Sequence, residues 1–454
     1  MTSTSPTAAP FGPPATRRSL LKVLGVGFGI AVTIGNTIGA GILRTPGEIA
    51  ERLPSPVFFL GVWIVGALYA TLGAISLAEL GTMLPRSGGQ YVFARHAFGR
   101  YAGFVVGWTD WLSTAGSAAA VSIVVGEYSS TLFPPLAGRG AAVAGGLIVF
   151  LTAIQWRGVR WGGGVQALTS LLKAVVLLAL VVACFVLADA GARPADVSPA
   201  LASGAPLLVA IILSLQAVIF TYDGWTGVIY FSEEVRDPGR DIPRSMLGGV
   251  LCVTAIYLLL NVSFLQVLPL SSMAGKTLVA GEVATTLFGP MGDAVIRAIM
   301  IVALLSTVNA LVLMAPRVLY AMSRDGLFSA RGTEVNEGGT PTIALLLSSL
   351  VALLFVATGT FGTVIAVLSF FFVANYVVSF AAVFALRRRE PAAPRPFRAW
   401  GYPWTTGIAL LGSLAFLVGA IVFDRRTSIY ALAVVAASAP IYLLVRQALP
   451  ERER

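Results

Sequence analysis

Charge is what this sequence has least of. Only 11% of its 454 residues are Asp, Glu, Lys or Arg, against roughly 25% in soluble domains, while 57% are hydrophobic and the mean hydropathy is +0.85. That balance excludes a soluble globular protein and points to a chain immersed in a bilayer. Histidine is nearly missing: His96 is the single one, with no Cys or second His beside it, so a metal centre is not expected and a surface position is. Cysteine is scarce too. Cys184 and Cys252 both fall in apolar stretches, where packing is the role they suit, and no pair of loop cysteines exists for a disulfide. No Ser/His/Asp set, metal-ligand cluster or nucleotide-binding loop stands out, and "RWGGGV" at 160–165 lacks the strand and the lysine of a phosphate loop. An enzyme is therefore not expected, nor is a cofactor or a bound metal. The formal net charge of +10 would suggest nucleic acid in a soluble protein, but here it reads as membrane topology.

Long apolar runs are what the chain does have. A helix needs about 20 apolar residues to cross a bilayer, and twelve segments qualify as candidates. Five lie at 23–43, 57–80, 102–128, 141–156 and 164–188, five more at 207–231, 247–268, 295–322, 343–357 and 363–386, and two at 406–423 and 429–445. With both termini cytoplasmic, 22 Lys and Arg fall on the inner side against 8 on the outer, and Lys173 is left inside a span. The expected protein is thus all-helical, multi-pass and integral to the inner or plasma membrane. Residues 1–20, rich in Ser, Thr, Pro and Ala, read as a disordered tail, 448–454 as a short second one, and the spans divide into units at 21–189, 205–388 and 404–447. The stretch at 84–103 mixes aromatics with Arg and His96, as a short interfacial helix would.

Span 1 contains "TIGNTIGAGIL", which puts Gly35, Gly39 and Gly41 within seven residues. A glycine inside a helix costs about 1 kcal/mol relative to Ala, so the cluster serves either close helix packing or a deliberate break. Span 6 tips the balance toward a break. It reads "AVIFTYDGWTGVIYF", with Asp223 and Gly224 deep in an apolar stretch, and a charged Asp at such depth costs about 2.5 to 3.5 kcal/mol unless it faces a cavity or a partner. Interrupted spans in matching positions of two five-span halves are the pattern of an inverted-repeat transporter with its site at the bilayer midplane. The amides of Ala40, Gly41 and Ile42 would then begin a new helix and form a cradle for a carboxylate. Free carbonyls near Thr37, Phe220 and Asp223 would suit an ammonium group, so a ligand with both charges on neighbouring carbons fits: an α-amino acid.

Three segments, "IGNTIGAGIL", "FTYDGWTGVIYFSEEVRDPGRDIPRSM" and "APRVLYAMSRDGLF", resemble the marker segments of the amino acid, polyamine and organocation (APC) superfamily, nearest its bacterial permeases and L-type amino acid transporters. The likeness extends over spans 1 to 10. It implies a LeuT-type fold of five plus five inverted repeats with two added C-terminal helices, the family's G-S/A-G turn on Gly39, Ala40 and Gly41, and Phe220 as an aromatic gate above the substrate; together with the helix ends, the expected substrate-binding set is Thr37, Gly39, Ala40, Gly41, Phe220, Thr221, Asp223 and Gly224. Where this chain has Asp223 the family often has Gly, a departure that suits cationic side chains but also occurs with neutral substrates. Lys173 either snorkels to the surface or pairs inside the bundle. The resemblance favours pairing, with its ammonium standing in for a sodium ion between spans 1 and 8 and its protonation a candidate for coupling to transport. The adjacent Ser306 and Thr307 are the competing feature, since two hydroxyls can ligate sodium.

In "SEEVRDPGRDIPRS" charges of alternating sign are punctuated by Pro238 and Pro243, which reads as a solvated loop, whereas the resemblance implies an inner gate built on Glu234. The expected activity is secondary transport of amino acids, by proton symport or exchange, with the amino acid substrate, membrane lipid and, for symport, protons as partners and no nucleic acid. The loop at 134–139 has no cysteine, so no disulfide-linked heavy subunit is expected. A permease for amines such as polyamines, relying on Asp223, and a sensor that binds without translocating are the rival readings.

Overall fold

The computed structural model describes residues 20–39, 41–188, 207–358, 361–423 and 425–448. Ala40, the tail at 1–19 and the last residues, 449–454, lie outside the described residues. Within them the protein is all-helical, with two isolated backbone bridges and no strand. The helices are α1 (Val26–Thr37), α2 (Gly41–Arg52), α3 (Pro56–Met83), α4 (Gln90–Phe98), α5 (Arg100–Leu132), α6 (Gly140–Trp156), α7 (Val159–Leu187) and α8 (Leu207–Tyr222). They continue as α9 (Pro238–Val267), α10 (Leu270–Met273), α11 (Val279–Phe288), α12 (Gly292–Arg324), α13 (Thr342–Thr358), α14 (Phe361–Arg389), α15 (Trp404–Phe423) and α16 (Arg425–Ala448).

Ten of the twelve apolar segments of the sequence fall on a single helix each, while 23–43 and 207–231 are each divided between two helical pieces. Among the described residues, eight helices are long and apolar enough to cross a membrane, α1 and α2 form a pair bent by 44°, and α6 and α13 are shorter apolar helices. The protein is a multi-pass integral membrane protein. Its centre is built by α5 and α12, which pack along one another, with α14 and α6 against α5 and α7 and α13 against α12. Around this pair α3 packs on α9 and α8, and α1 on α9 and α7. Large apolar side chains such as Leu168, Val182, Leu411 and Leu444 face outward, as expected of helices bathed in lipid rather than water.

Two segments sit differently from the sequence expectation. Helix α4 is tucked inside rather than laid on an interface: Gln90, Tyr91, Val92, Phe93, Ala94 and Ala97 are buried against α5 and α14. Gly88 and Gly89, at φ 128° and 64°, turn the chain back so that this can happen. Arg317, one of the 22 basic residues assigned to the inner side, belongs to α12 and is buried.

Polar contacts inside the bundle fix the added helices. Glu79 on α3 is 1% exposed and receives Arg387 (2.8 and 2.5 Å), Arg395 (3.1 Å) and the amide of Ala399 (2.7 Å), which staples the connection between α14 and α15 to α3. Removing one partner of such a buried set leaves an uncompensated charge, at a cost of about 3–5 kcal/mol. Glu79→Ala is therefore expected to lower the thermal unfolding midpoint of the detergent-solubilised protein strongly; a midpoint within experimental error of the parent would refute the staple.

Candidate functional site

Two helices stop in the middle of the bundle. α1 ends at Thr37, where the Ile38 amide still reaches Ile34 O and the Gly39 amide turns back to Thr37 O (2.9 Å), and α2 restarts at Gly41. α8 ends at Tyr222; a turn over 223–226 follows, then a 3-10 segment at Gly227–Phe231. The glycines divide the work. Gly35 serves packing, since a Cβ there would lie 1.9 Å from the Gln166 amide nitrogen, and Gly41 lets α2 approach Thr221, 2.9 Å from the same imagined atom. Gly224 makes the second break. Its φ of 117° is open to glycine and few others, and a Cβ would press on the Thr37 amide at 2.7 Å. Packing and interruption, alternatives in the sequence, are both present.

The gap between the breaks is a pocket. Asn36, Thr37, Gly39 and Gly41 line it from the first broken span, and Phe220, Thr221, Asp223, Thr226 and Tyr230 from the second. α5 contributes Thr114, Ser117 and Val121, α12 Thr307, Leu311 and Met314, and α14 Phe372 and Tyr376. Gly224 borders the same gap, its carbonyl held by Asn36 Nδ2 at 3.3 Å. The sequence-marked residues other than Ala40 thus converge, whereas Lys173 and Glu234 lie behind the pocket wall.

Side chains pair the carbonyls that the breaks set free. Lys173 on α7, 1% exposed, directs its ammonium at Gly35 O (2.9 Å), Ile38 O (2.5 Å) and Thr307 Oγ1 (2.9 Å). It bridges α1 and α12 and does not snorkel. Thr307 Oγ1 itself lies 2.8 Å from Gly35 O, while Ser306 joins Ser170 and Gln166. Tyr257 on α9 spans both breaks, its hydroxyl 2.8 Å from Thr37 O and 3.0 Å from Thr221 O. The carbonyls expected to be free near Thr37 and Phe220 are therefore already engaged, Phe220 O by the Asp223 amide at 3.1 Å. What the pocket offers a cation is their remaining lone pairs and the Asp223 carboxylate, to which Tyr376 donates. What it offers an anion is the first turn of α2, whose amides have no carbonyl one turn back. Thr37 Oγ1 is buried there without a partner.

On the side of the pocket beyond Tyr230 the chain is closed by ion pairs. Glu234, wholly buried, takes both arms of Arg317 (2.8 and 2.9 Å), whose guanidinium also stacks over Phe231. Arg324 holds Glu233 at 2.6 Å, and Asp325 takes Arg86 and Tyr91. The loop after span 6 is thus folded into the bundle at Glu234 instead of solvated, because two arginines of α12 reach it.

A family model described as amino acid permease matches residues 28–444. The chain belongs to that family. The permease is 28% identical to the serine/threonine exchanger SteT of Bacillus subtilis over 435 residues, covering 93% of this chain and 96% of that protein. It is 26% identical to the human b(0,+)-type amino acid transporter 1 over 90% of this chain and 84% of that one, and 29% identical to the rabbit (Oryctolagus cuniculus) large neutral amino acids transporter small subunit 2 over 84% and 72%. The APC resemblance carried by the three sequence motifs is correct, and the permease stands among transporters, not enzymes. Tyr257, Tyr376, Tyr230, Asn36 and Asp110 escaped the sequence reading. Asp110 had a usable signal, an acid within the apolar run at 102–128, and lone tyrosines inside spans 7 and 10 have hydroxyls that need partners.

Gly224→Ala forces a side chain onto a left-handed backbone and into the Thr37 amide. Binding of amino acid to the purified variant is expected to fall by at least about tenfold, and parent-like affinity would refute the role given to this turn.

Proposed function

We propose that this permease is a secondary transporter of α-amino acids that works by alternating access around its two interrupted helices. The observation that carries the reading is that one pocket is lined by Gly41 at the amide end of α2, by Thr37 and Thr221 at the carbonyl ends of α1 and α8, and by the Asp223 carboxylate. A substrate carboxylate sits on the amides of Gly41 and Ile42, its ammonium turns to Asp223 and the carbonyl lone pairs near Thr37 and Thr221, and its side chain meets Thr114, Ser117 and the apolar residues of α12. Amino acid transport and exchange named for its relatives support the same substrate class.

The architecture is twelve spans, five plus five in inverted repeat with two added at the C-terminal end. The packing supports it, because several of its helix pairings recur when spans 1–5 and 6–10 are exchanged. Spans 3 and 8, 2 and 7, and 4 and 9 pair directly, as α5 with α12, α3 with α9 and α6 with α13. Spans 3 and 10 (α5 with α14) mirror spans 8 and 5 (α12 with α7), and spans 1 and 7 (α1 with α9) mirror spans 6 and 2 (α8 with α3). The repeats correspond to 21–189 and 205–388, both termini are cytoplasmic, and the cell membrane is the site of action.

Lys173 stands in for a coupling sodium ion. Its three donors meet three acceptors on α1 and α12, where a bound sodium ion would draw the same oxygens together, so transport proceeds without sodium. Phe220, half-buried at the pocket edge, closes the outer side, and the Glu234–Arg317 pair the inner side. No disulfide-linked partner subunit takes part.

Proteoliposomes holding the permease are expected to take up labelled neutral amino acids with or without sodium, and to release them faster when unlabelled substrate is outside. Movement of amines alone, lacking a carboxylate, would replace this reading with an amine permease; saturable binding without uptake would make the chain a sensor. Gly41→Val is expected to raise the half-saturation concentration by at least about tenfold. Lys173→Met, which strands the carbonyls of Gly35 and Ile38, is expected to abolish uptake, and parent-like uptake in that variant would remove Lys173 from the mechanism.

A further inference from the structure

Two carboxyl groups stand at the pocket, and one of them is behind its wall. Asp110 lies on α5 with no solvent exposure. Its Oδ1 accepts a 2.7 Å hydrogen bond from the Tyr230 hydroxyl, and its Oδ2 is buried with no partner. Tyr230 lines the pocket, and so does Thr114, whose hydroxyl reaches back to the Asp110 carbonyl at 2.7 Å. The acid is one phenol removed from the substrate.

The donor set around Asp110 does not suit an ionised group. A carboxylate has about four acceptor positions, and burying it with a single neutral donor leaves the cost of desolvation, several kcal/mol, mostly uncompensated. Other buried charges here are matched: Glu234 meets both arms of Arg317, Glu79 meets two arginines and an amide, and the Lys173 ammonium uses three donors on three acceptors. The groups facing Asp110 supply no balancing charge. Tyr230 of the 3-10 segment is its hydrogen-bond donor, and Asp223 acts on it as a like charge. Tyr376 on α14, Tyr91 on α4 and Arg317 on α12 are engaged with Asp223, Asp325 and Glu234. A zwitterionic substrate brings no net charge to the account, which leaves a proton as the species that completes the site.

We propose that Asp110 is a proton-binding site geared to the substrate pocket through Tyr230, and that one proton travels with each amino acid. The inference rests on the transport reading given above. In the arrangement seen here, with the Glu234–Arg317 layer closed, Asp110 is the neutral acid. Tyr230 is packed against Gly89, where a Cβ would lie 2.5 Å from its ring, and belongs to the segment that leads directly to Glu234. Opening of the ion-pair layer therefore moves Tyr230 away and admits water. The Asp110 O–H bond then breaks, its proton passes to that water as hydronium, and the carboxylate remains until it is reprotonated from the other side.

The test uses the full chain in proteoliposomes, with a labelled amino acid and two assays: counterflow at uniform pH, and uptake under an inward acid gradient of one pH unit. Wild-type accumulation is expected to rise by up to about tenfold under the gradient, the limit for one proton per substrate. Asp110→Asn, an isostere that cannot ionise, is expected to keep counterflow while the gradient response falls to about onefold. A full response in Asp110→Asn, or wild-type counterflow with no response to the gradient, would overturn the proton site and leave the transport reading intact. Loss of counterflow in a monodisperse Asp110→Asn preparation would also overturn it, since a permanently neutral carrier should still exchange. Absence of wild-type counterflow would instead bring down the transport reading. If Asp110→Asn does not fold, Tyr230→Phe decides: a displaced pH profile of uptake is expected, and an unmoved one refutes the coupling.

Discussion

In hydrocarbon a peptide group must find its hydrogen bond within the protein, and every distinctive feature of this permease follows from two places where it does not find it within its own helix. Interrupting α1 and α8 frees carbonyls at Gly35, Thr37, Ile38 and Thr221, and an amide terminus at Gly41. The carbonyls are met by Lys173, Thr307 and Tyr257, side chains drawn from three separate helices. Those three contacts therefore do two things at once: they make the breaks tolerable, and they bind the broken elements to α7, α9 and α12. The amide terminus is left facing the pocket, where a ligand can meet it. In the proposed function, such a site of backbone dipoles takes hold of what all α-amino acids share, and Thr114, Ser117 and the apolar wall line the rest of the pocket.

The charges follow the same economy of partners. Buried ions are placed where elements from distant parts of the chain must be held in register, Glu79 joining α3 to the region after α14 and Glu234 joining the second broken span to α12. Pairs of this kind are costly to break one partner at a time but reversible when both partners separate into water together, which is what a gate requires. Near the pocket the pattern changes: among the described residues Asp223 is met by Tyr376 and the Gly224 backbone and Asp110 by Tyr230, with no cation on either. That asymmetry, tight pairing at the closed end and spare acceptors near the substrate, is the electrostatic basis of the proposed cycle.

Much of this was legible in the sequence because lipid imposes strict rules. The apolar runs marked the long helices, since period and length suffice where a span satisfies its own backbone. Gly39, Gly41, Asp223 and Gly224 marked the breaks because each is expensive in a continuous helix, and Lys173 stood out for the same reason. Tyr257 and Tyr376 did not stand out, as a tyrosine within an apolar run is cheap and its hydroxyl's target depends on a helix far away in sequence. The burial of Glu234 was hidden likewise: alternating charges with two prolines look solvated until Arg317, 83 positions on, is brought against them. The Thr37 carbonyl seemed free for a ligand because nothing local shows that Tyr257 reaches it.

Ahead of α1 the chain forms a short parallel bridge, the Leu24 amide bonded to Glu234 O and the Arg236 amide to Leu24 O, each at 2.8 Å. The lower ends of both interrupted helices are thereby laced together by main chain, independent of any side chain. They form one tie: a displacement of either bridged segment is carried to the other through two main-chain hydrogen bonds.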